Sequence, residues 1–213
     1  SLNFARQSKT TIKQHSPHSW SKEKETVTLW EVDIYPRQGQ PDLAAKFISA
    51  DAADMGLCEH LELATARGFL VQGDLDESQM LKLSDELFAD RVVERTVTAA
   101  AGDPQLAAPP NGKPHLVYVL PKPGVMDPVA QSAQKAIADL GLNADSVRTF
   151  KKYWLAGVDS DQLDQLCRRV LANDSIEQVV VGPLPFDHLQ VGDAYTFEKI
   201  TVAIRELDDA GLE

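Results

Sequence analysis

The sequence has few cysteines, few basic residues and no long apolar run, and each shortage excludes a class of protein. Its only cysteines, Cys58 and Cys167, form neither a CxxC pair nor a zinc-ligand spacing. This usage argues against a disulfide scaffold and is typical of a reducing compartment. No apolar run approaches the roughly 20 residues that span a bilayer, and the first residues lack the apolar core of a signal peptide. We therefore expect a cytoplasmic protein with no membrane partner.

Positive charge is scarce along the chain. The sequence has 21 Lys and Arg against 32 Asp and Glu, which gives a formal net charge of -11. Such a surface repels phosphate backbones, so we expect no nucleic-acid partner. Residues 1–26 form a short basic head, which we interpret as a disordered polar tail rather than an RNA-binding arm.

Familiar catalytic motifs are also missing from the sequence. It contains no phosphate-binding loop, no HExxH motif, no GxSxG nucleophile elbow and no GxGxxG fingerprint. Cys167 lies on the apolar stripe of a predicted helix, where burial opposes thiolate formation, so we interpret it as a core residue. We predict no catalytic, cofactor-binding or metal-binding residue in this chain.

The sequence does contain an internal repeat, over residues 28–99 and 114–182. Each copy begins with a short apolar strand ending in proline, and continues with a helix that opens on an aspartate and closes on a glycine. A second helix with an acidic start and a closing strand follow. The corresponding residues are Pro36 and Pro121, Asp42 and Asp127, Gly56 and Gly141, and Asp76 and Asp159.

Apolar stripes at helical spacing support this assignment within residues 77–88, 127–140 and 160–172. A one-sided helix covers an apolar surface, and the alternating strands provide one. We predict an α+β fold of two tandem βαββαβ-like units, with antiparallel sheets and helices on one face. The fourth strand of each unit depends on a bend around Gly68 or Lys152.

The composition between and after the copies sets the predicted boundaries. A segment rich in proline and glycine separates the copies and has the composition of a linker. A further strand is predicted within residues 196–205. The predicted organisation is a disordered tail at 1–26, a first repeat at 27–100, a linker at 101–113, a second repeat at 114–182 and a C-terminal extension with one strand at 183–213.

Lys151, Lys152 and Trp154 are the candidate contacts with a partner protein. The lysines lie within a predicted strand, where they could meet an acidic partner or block unwanted strand pairing. Trp154 fits either an interface anchor or a core residue.

The second copy carries a pattern that resembles the PurS family, the small subunit of phosphoribosylformylglycinamidine synthase. The first copy resembles it more weakly. Two positions depart from the family pattern: Ala130 stands where glycine is frequent, and Phe150-Lys151-Lys152 replaces a glycine-lysine step. The resemblance rests on Pro123-Gly124-Val125-Met126-Asp127-Pro128, Val147-Arg148, Lys152-Tyr153, Leu171-Ala172-Asn173 and Ile176-Glu177.

The resemblance implies a small homodimeric protein without catalytic residues, which bridges the synthetase PurL and the glutaminase PurQ. The assembled complex converts formylglycinamide ribonucleotide to formylglycinamidine ribonucleotide, and uses ATP, Mg and glutamine that this chain itself does not bind. In large single-chain synthases a PurS-like pseudo-dimer forms the N-terminal domain. The tandem therefore resembles either a fused PurS dimer or the front of a PurS–PurL polypeptide.

Another reading of the repeats remains open. An ACT-like regulatory module also has βαββαβ units and binds a small molecule between them. Gly124, between strand and helix, is compatible with that function. Stabilisation of the chain by amino acids would favour this alternative.

The missing motifs predict how the isolated chain behaves. Purified chain should hydrolyse neither ATP nor glutamine, because it has no phosphate loop and no activated nucleophile. Phosphate and glutamate release, measured against a blank without protein, tests this. Release that scales with the concentration of the chain would contradict it.

Overall fold

The structure is a computed structural model that describes residues 27–108 and 115–189. The predicted disordered tail at 1–26 and the predicted strand within 196–205 lie outside the described residues. Within them, two successive sets of strands and helices build one sheet. We call residues 29–100 the first half and residues 115–182 the second half.

Each half has the same order of elements: strand, helix, long strand, helix with a wider final turn, and strand. A short helix, α3, follows the first half. The elements are β1 (Leu29–Pro36), α1 (Leu43–Asp54), β2 (Glu62–Gln72), α2 (Glu77–Leu83), β3 (Glu94–Ala100), α3 (Pro104–Ala107), β4 (His115–Pro121), α4 (Pro128–Asp139), β5 (Ser146–Ala156), α5 (Ser160–Leu166) and β6 (Glu177–Val181).

The strands form a single antiparallel sheet in the order β3-β1-β2-β5-β4-β6. The halves therefore lie side by side, and they are joined through β2 and β5. This arrangement confirms the predicted α+β class. No helix among the described residues is long and apolar enough to cross a membrane.

The extended stretch of each half is one strand, so the predicted bend around Gly68 or Lys152 is wrong. Each half is β-α-β-α-β, with three strands instead of four. The reason is that β2 and β5 pair with each other over all 11 residues of each strand. Each long strand thus has a partner of equal length, and its backbone groups are satisfied without a bend.

The helices begin and end where the aspartates and glycines predict. Asp42 and Asp127 accept a hydrogen bond from the backbone of the first turn of α1 and α4. Asp76 and Asp159 each open the next helix with a capping box, in which the side-chain oxygen of a glutamine accepts a hydrogen bond from the backbone N–H of the aspartate.

The second helix of each half ends in a wider turn that the periodicity does not predict. A π-helical turn spans Ser84–Phe88 in the first half and Cys167–Leu171 in the second. The Ala172 N–H closes the second of these turns by donating to the Cys167 carbonyl, at 3.1 Å. In the first turn, Phe88 stacks on Phe69 of β2 with ring centroids 4.4 Å apart.

The core on the helix side mixes the two halves. One cluster packs α4, through Ala133 and Ile137, against β1, β2 and α2 of the first half. The other packs α1, through Ala52, against β4, β5 and α5 of the second half. Each half therefore contributes a helix to the core of the other, and neither has a complete core of its own.

The opposite side of the sheet is also covered. Its apolar cluster includes Trp154 and Phe150, and Ala107 and Leu189 pack at its edges. The predicted linker thus contains α3, in which Leu106 is buried. Leu184, Phe186 and Leu189, at the start of the predicted C-terminal extension, also pack in this cluster.

Core truncation in the second half should be costly. Leu166 and Leu171 are buried, as the apolar stripe predicts. Leu166→Ala should lower the free energy of unfolding by about 2–5 kcal/mol, because it leaves a cavity between α5 and the sheet. Leu81→Ala on α2, where the leucine is 50% exposed, is the matched control and should change it by less than about 0.5 kcal/mol. Denaturant unfolding measures both variants. An equal decrease in the free energy of unfolding for Leu166→Ala and Leu81→Ala would contradict the packing of Leu166.

Candidate interaction surface

The first helix of each half is tied to the long strand of that half by its capping aspartate. Asp42 accepts hydrogen bonds from the Ala45 N–H at 2.9 Å and from the N–H and hydroxyl of Thr65, both at 2.8 Å. Asp127 makes the same contacts with Ala130 and Thr149. The sequence predicted the caps but not the strand contacts, although a threonine at corresponding places was a usable signal.

These ties place the starts of α1 and α4 near the middle of the sheet. Arg67 and Lys151 lie opposite each other there, each two residues beyond the threonine that binds the cap. The Arg67 guanidinium contacts Glu94 at 3.0 Å, and the Lys151 ammonium contacts Glu177 at 2.8 Å. Partial burial raises the pKa of Glu177, but hydrogen bonds from Lys151 and the Asn173 backbone outweigh it and leave the pKa below its ordinary value.

A groove with a volume of about 490 Å³ opens beside this central pair, under the start of α1. Its walls combine apolar and charged groups. Phe47, 64% exposed, lies one helical turn beyond Leu43 on the same face of α1. We call this surface the central groove; its residues include Pro36, Pro41, Leu43, Thr65, Arg67, Val93, Glu94, Lys151 and Tyr153.

The three residues predicted to contact a partner lie on two different faces. Lys151 is in the central groove, and its side chain is 48% exposed. Lys152 and Trp154 are 0% and 2% exposed and lie on the opposite side of the sheet. Neighbouring residues of a strand point to opposite faces, which the prediction overlooked when it grouped them. Partner contact stays a prediction for Lys151 alone.

Lys152 instead forms a buried charged network with β1. Its ammonium nitrogen lies 2.7 Å from Glu31 Oε1 and 2.7 Å from Asp33 Oδ2. The Tyr118 hydroxyl donates to Glu31, and the Tyr35 hydroxyl donates to Asp33, both at 2.8 Å. Sequence reasoning missed this network, but two acidic residues at alternate positions of an apolar strand were the signal for it.

The network is not fully satisfied. Among the described residues no group donates a hydrogen bond to Asp33 Oδ1. Burial raises the pKa of Asp33 to about 7, although the Lys152 ammonium opposes the rise. Burial and the neighbouring carboxylates also raise the pKa of Tyr35 and of Tyr118, so both phenols stay neutral hydrogen-bond donors.

Neither cysteine lies in a setting that would activate it. Cys58 and Cys167 are both buried. Burial raises the pKa of Cys167 to about 11, so its thiol is neutral at physiological pH. Within residues 27–108 and 115–189, no group of three or more His, Cys, Asp or Glu could hold a metal ion.

A comparison with protein families supports the resemblance of the second half. Residues 115–182 match the PurS family model, described as phosphoribosylformylglycinamidine (FGAM) synthase. The matched range runs from the start of β4 to just past the end of β6. No curated protein matches the chain.

The buried carboxyl group predicts a pH-dependent stability. Folding raises the pKa of Asp33 from 3.8 to about 7, so the folded state holds a proton that the unfolded chain has released. The stability linked to Asp33 is therefore fully present below pH 3.8, the pKa in the unfolded chain. It is lost as the pH rises through about 7, the pKa in the folded protein. Asp33→Asn should flatten this part of the pH profile in denaturant unfolding.

The exposed Asp139 provides the control for removal of one carboxylate. Asp139→Asn should keep the loss of stability that accompanies a rise in pH through about 7, because Asp33 is unchanged. Parallel profiles for wild type and Asp33→Asn would show that burial does not change the titration of Asp33.

Proposed function

We propose that this chain is a non-catalytic assembly unit of a phosphoribosylformylglycinamidine synthase. The observation that carries the proposal is the match of residues 115–182 to the PurS family, whose description names that enzyme. The raised pKa of the buried Cys167 is consistent with a unit that supplies no nucleophile. The enzyme amidates formylglycinamide ribonucleotide in purine biosynthesis, and its ATP, Mg and glutamine are used by other parts of the assembly.

In this proposal the chain is a tandem PurS-like pseudo-dimer, either free-standing or at the front of a longer synthase. The first half lies outside the family match, but its elements follow the same order as those of the second. Both halves repeat the aspartate–threonine tie and the capping box. The pairing of β2 with β5 is centred on Arg67 and Lys151, which occupy the same place in their halves. These features support a twofold relation between the halves.

The assembly role is to hold a PurL-type synthetase and a PurQ-type glutaminase in a fixed arrangement. Ammonia released from glutamine must reach the synthetase before it escapes to water, so the two active sites need a constant separation. A single six-stranded sheet with helices shared between its halves is a rigid platform for this purpose. The chain thus holds the two enzymes in place and carries out no step of the reaction itself.

The central groove is the surface that best fits a protein partner. An exposed aromatic side chain beside apolar residues and a basic group has the composition of an interface anchor. Phe47, Leu43 and Lys151 provide these groups. The ion pair of Lys151 with Glu177 holds the lysine in place at the rim.

Reconstitution tests the function. Synthetase and glutaminase subunits should make formylglycinamidine ribonucleotide from glutamine efficiently only when this chain is present, and all three should co-elute. If the chain is part of a longer synthase, its deletion is the equivalent test. Unchanged glutamine-dependent activity without the chain, together with no co-elution, would overturn the proposal. Stabilisation of the chain by free amino acids would then support an ACT-like regulatory module.

Single substitutions test the groove. Phe47→Ala and Lys151→Ala should each weaken binding of the chain to its partner by about tenfold, which is typical for an interface anchor. Leu140→Ala is the matched control, because Leu140 is an exposed apolar residue at the end of α4 and outside the groove. Calorimetric titration measures the three affinities. If Leu140→Ala weakens binding as much as Phe47→Ala does, the interface does not lie in the groove.

A further inference from the structure

The two halves differ most on the side of the sheet away from the long helices. Corresponding positions follow from the strand pairing. Asp33 pairs with Gly68 in the first half as Tyr118 pairs with Lys152 in the second. Two residues away, on the same side of the sheet, Glu31 pairs with Leu70, as Leu116 pairs with Trp154. Lysine therefore stands where the first half has glycine, and Tyr118 and Leu116 stand where it has two acids.

The two long strands are complementary in size on this side. Lys152 and Phe150 of β5 lie opposite Ala66 and Gly68 of β2. A Cβ atom on Gly68 would lie 2.4 Å from the Phe150 ring and 2.2 Å from the Val32 carbonyl oxygen. Glycine is therefore required at position 68, because the Val32 carbonyl of the same half and the Phe150 ring of the other half both occupy the space above it.

The two halves are also complementary in charge. Lys152 reaches across β2 to Glu31 and Asp33 on β1, with both contacts at 2.7 Å. The Tyr118 hydroxyl crosses the same boundary to Glu31 at 2.8 Å. All these polar contacts are buried, where an unpaired charge would be strongly destabilising.

A pair of two first halves in this register would lack these partners. Each would bring Glu31 and Asp33 to the interface, so four carboxylates would be buried without a lysine. Ala66 would lie opposite Gly68 of the other copy and leave a void in place of the Phe150 ring. Both the charges and the void oppose such a pair.

A pair of two second halves would fail for the opposite reason. Two copies of Lys152 would be buried beside each other with no carboxylate, because Leu116 and Tyr118 occupy the acidic positions. Phe150 would also lie opposite Lys152, so two large side chains would compete for the space that Gly68 leaves in the native pair. Like charges and overpacking oppose this pair.

We propose that this surface determines which halves pair: the acidic, small-residue face of the first half accepts the second half, and each half rejects a copy of itself. The rule concerns the partner of each PurS-like half and holds independently of the proposed role in a synthase. Specificity of this kind arises from contacts that favour one partner and repulsions that disfavour the other.

Cleavage of the intact folded chain tests the rule. A protease site inserted between Pro110 and Asn111 allows the chain to be cut after folding. The cut protein is then unfolded in denaturant and refolded, and native mass spectrometry separates the three possible pairs by mass. We expect only the pair of a first and a second half. A statistical mixture of all three pairs, or failure of the mixed pair to form, would overturn the proposal.

Removal of the charges shows whether they set the choice. The triple variant Glu31→Gln, Asp33→Asn, Lys152→Met should allow pairs of two first halves to appear, because the carboxylate repulsion is gone. The control Lys151→Met, Glu177→Gln removes an ion pair on the other side of the sheet and should keep mixed pairs only. Mixed pairs alone from the triple variant would overturn the role of the charges and leave the void at Ala66 and Gly68 as the barrier to a pair of two first halves.

The uncut chain provides a second measurement if the cut triple variant does not refold. Lys152→Met alone leaves two buried carboxylates without a cation, and Glu31→Gln with Asp33→Asn leaves a buried cation without carboxylates. The triple variant should unfold at a higher denaturant concentration than either of these. If the loss of stability in the triple variant equals the sum of the losses in the other two variants, the network does not couple the halves. That result would overturn the proposal.

Discussion

The pairing of β2 with β5 is the interaction on which the rest of the structure depends. It runs along the full 11 residues of both strands and turns two three-stranded units into one sheet. Because the sheet is continuous, α1 and α4 can each cross to the other half and complete its core. The aspartate–threonine ties fix where both helices begin, and so they also shape the central groove between the halves.

The two sides of the sheet have different physical roles. The helix side leaves charged and apolar groups exposed around the centre, where ion pairs are partly solvated and contribute little to stability. The other side buries a lysine between two carboxylates. Burial of that network is costly even when it is paired, and one carboxylate oxygen of Asp33 has no donor among the described residues. Because the buried charges add little stability, their presence in the core is better explained by their role in choosing which half pairs with which.

Much of the local structure could be predicted from the sequence. Helix caps, closing glycines and apolar stripes depend on residues close together in the chain, so Asp42, Asp127, Gly56 and Gly141 could be assigned correctly. The PurS-like pattern of the second half was also readable, because its motifs are contiguous. The prediction of a fourth strand in each half was wrong because a long strand and a bent one have the same local sequence pattern. Only a partner of equal length distinguishes them.

The sequence by itself therefore determined the main helices with their caps, the repeated order of elements and the family resemblance of the second half, but not the number of strands in each half. Tertiary structure alone decided which side of the sheet each side chain occupies and which half each helix completes. Lys151, Lys152 and Trp154 show the difference: they lie within four residues of chain, yet one faces the groove and two are buried on the other side. The physical reason is that a strand alternates its faces, while the element that covers each face is set by distant residues. Glu31 and Lys152 meet across 121 positions of sequence, and no local rule connects them.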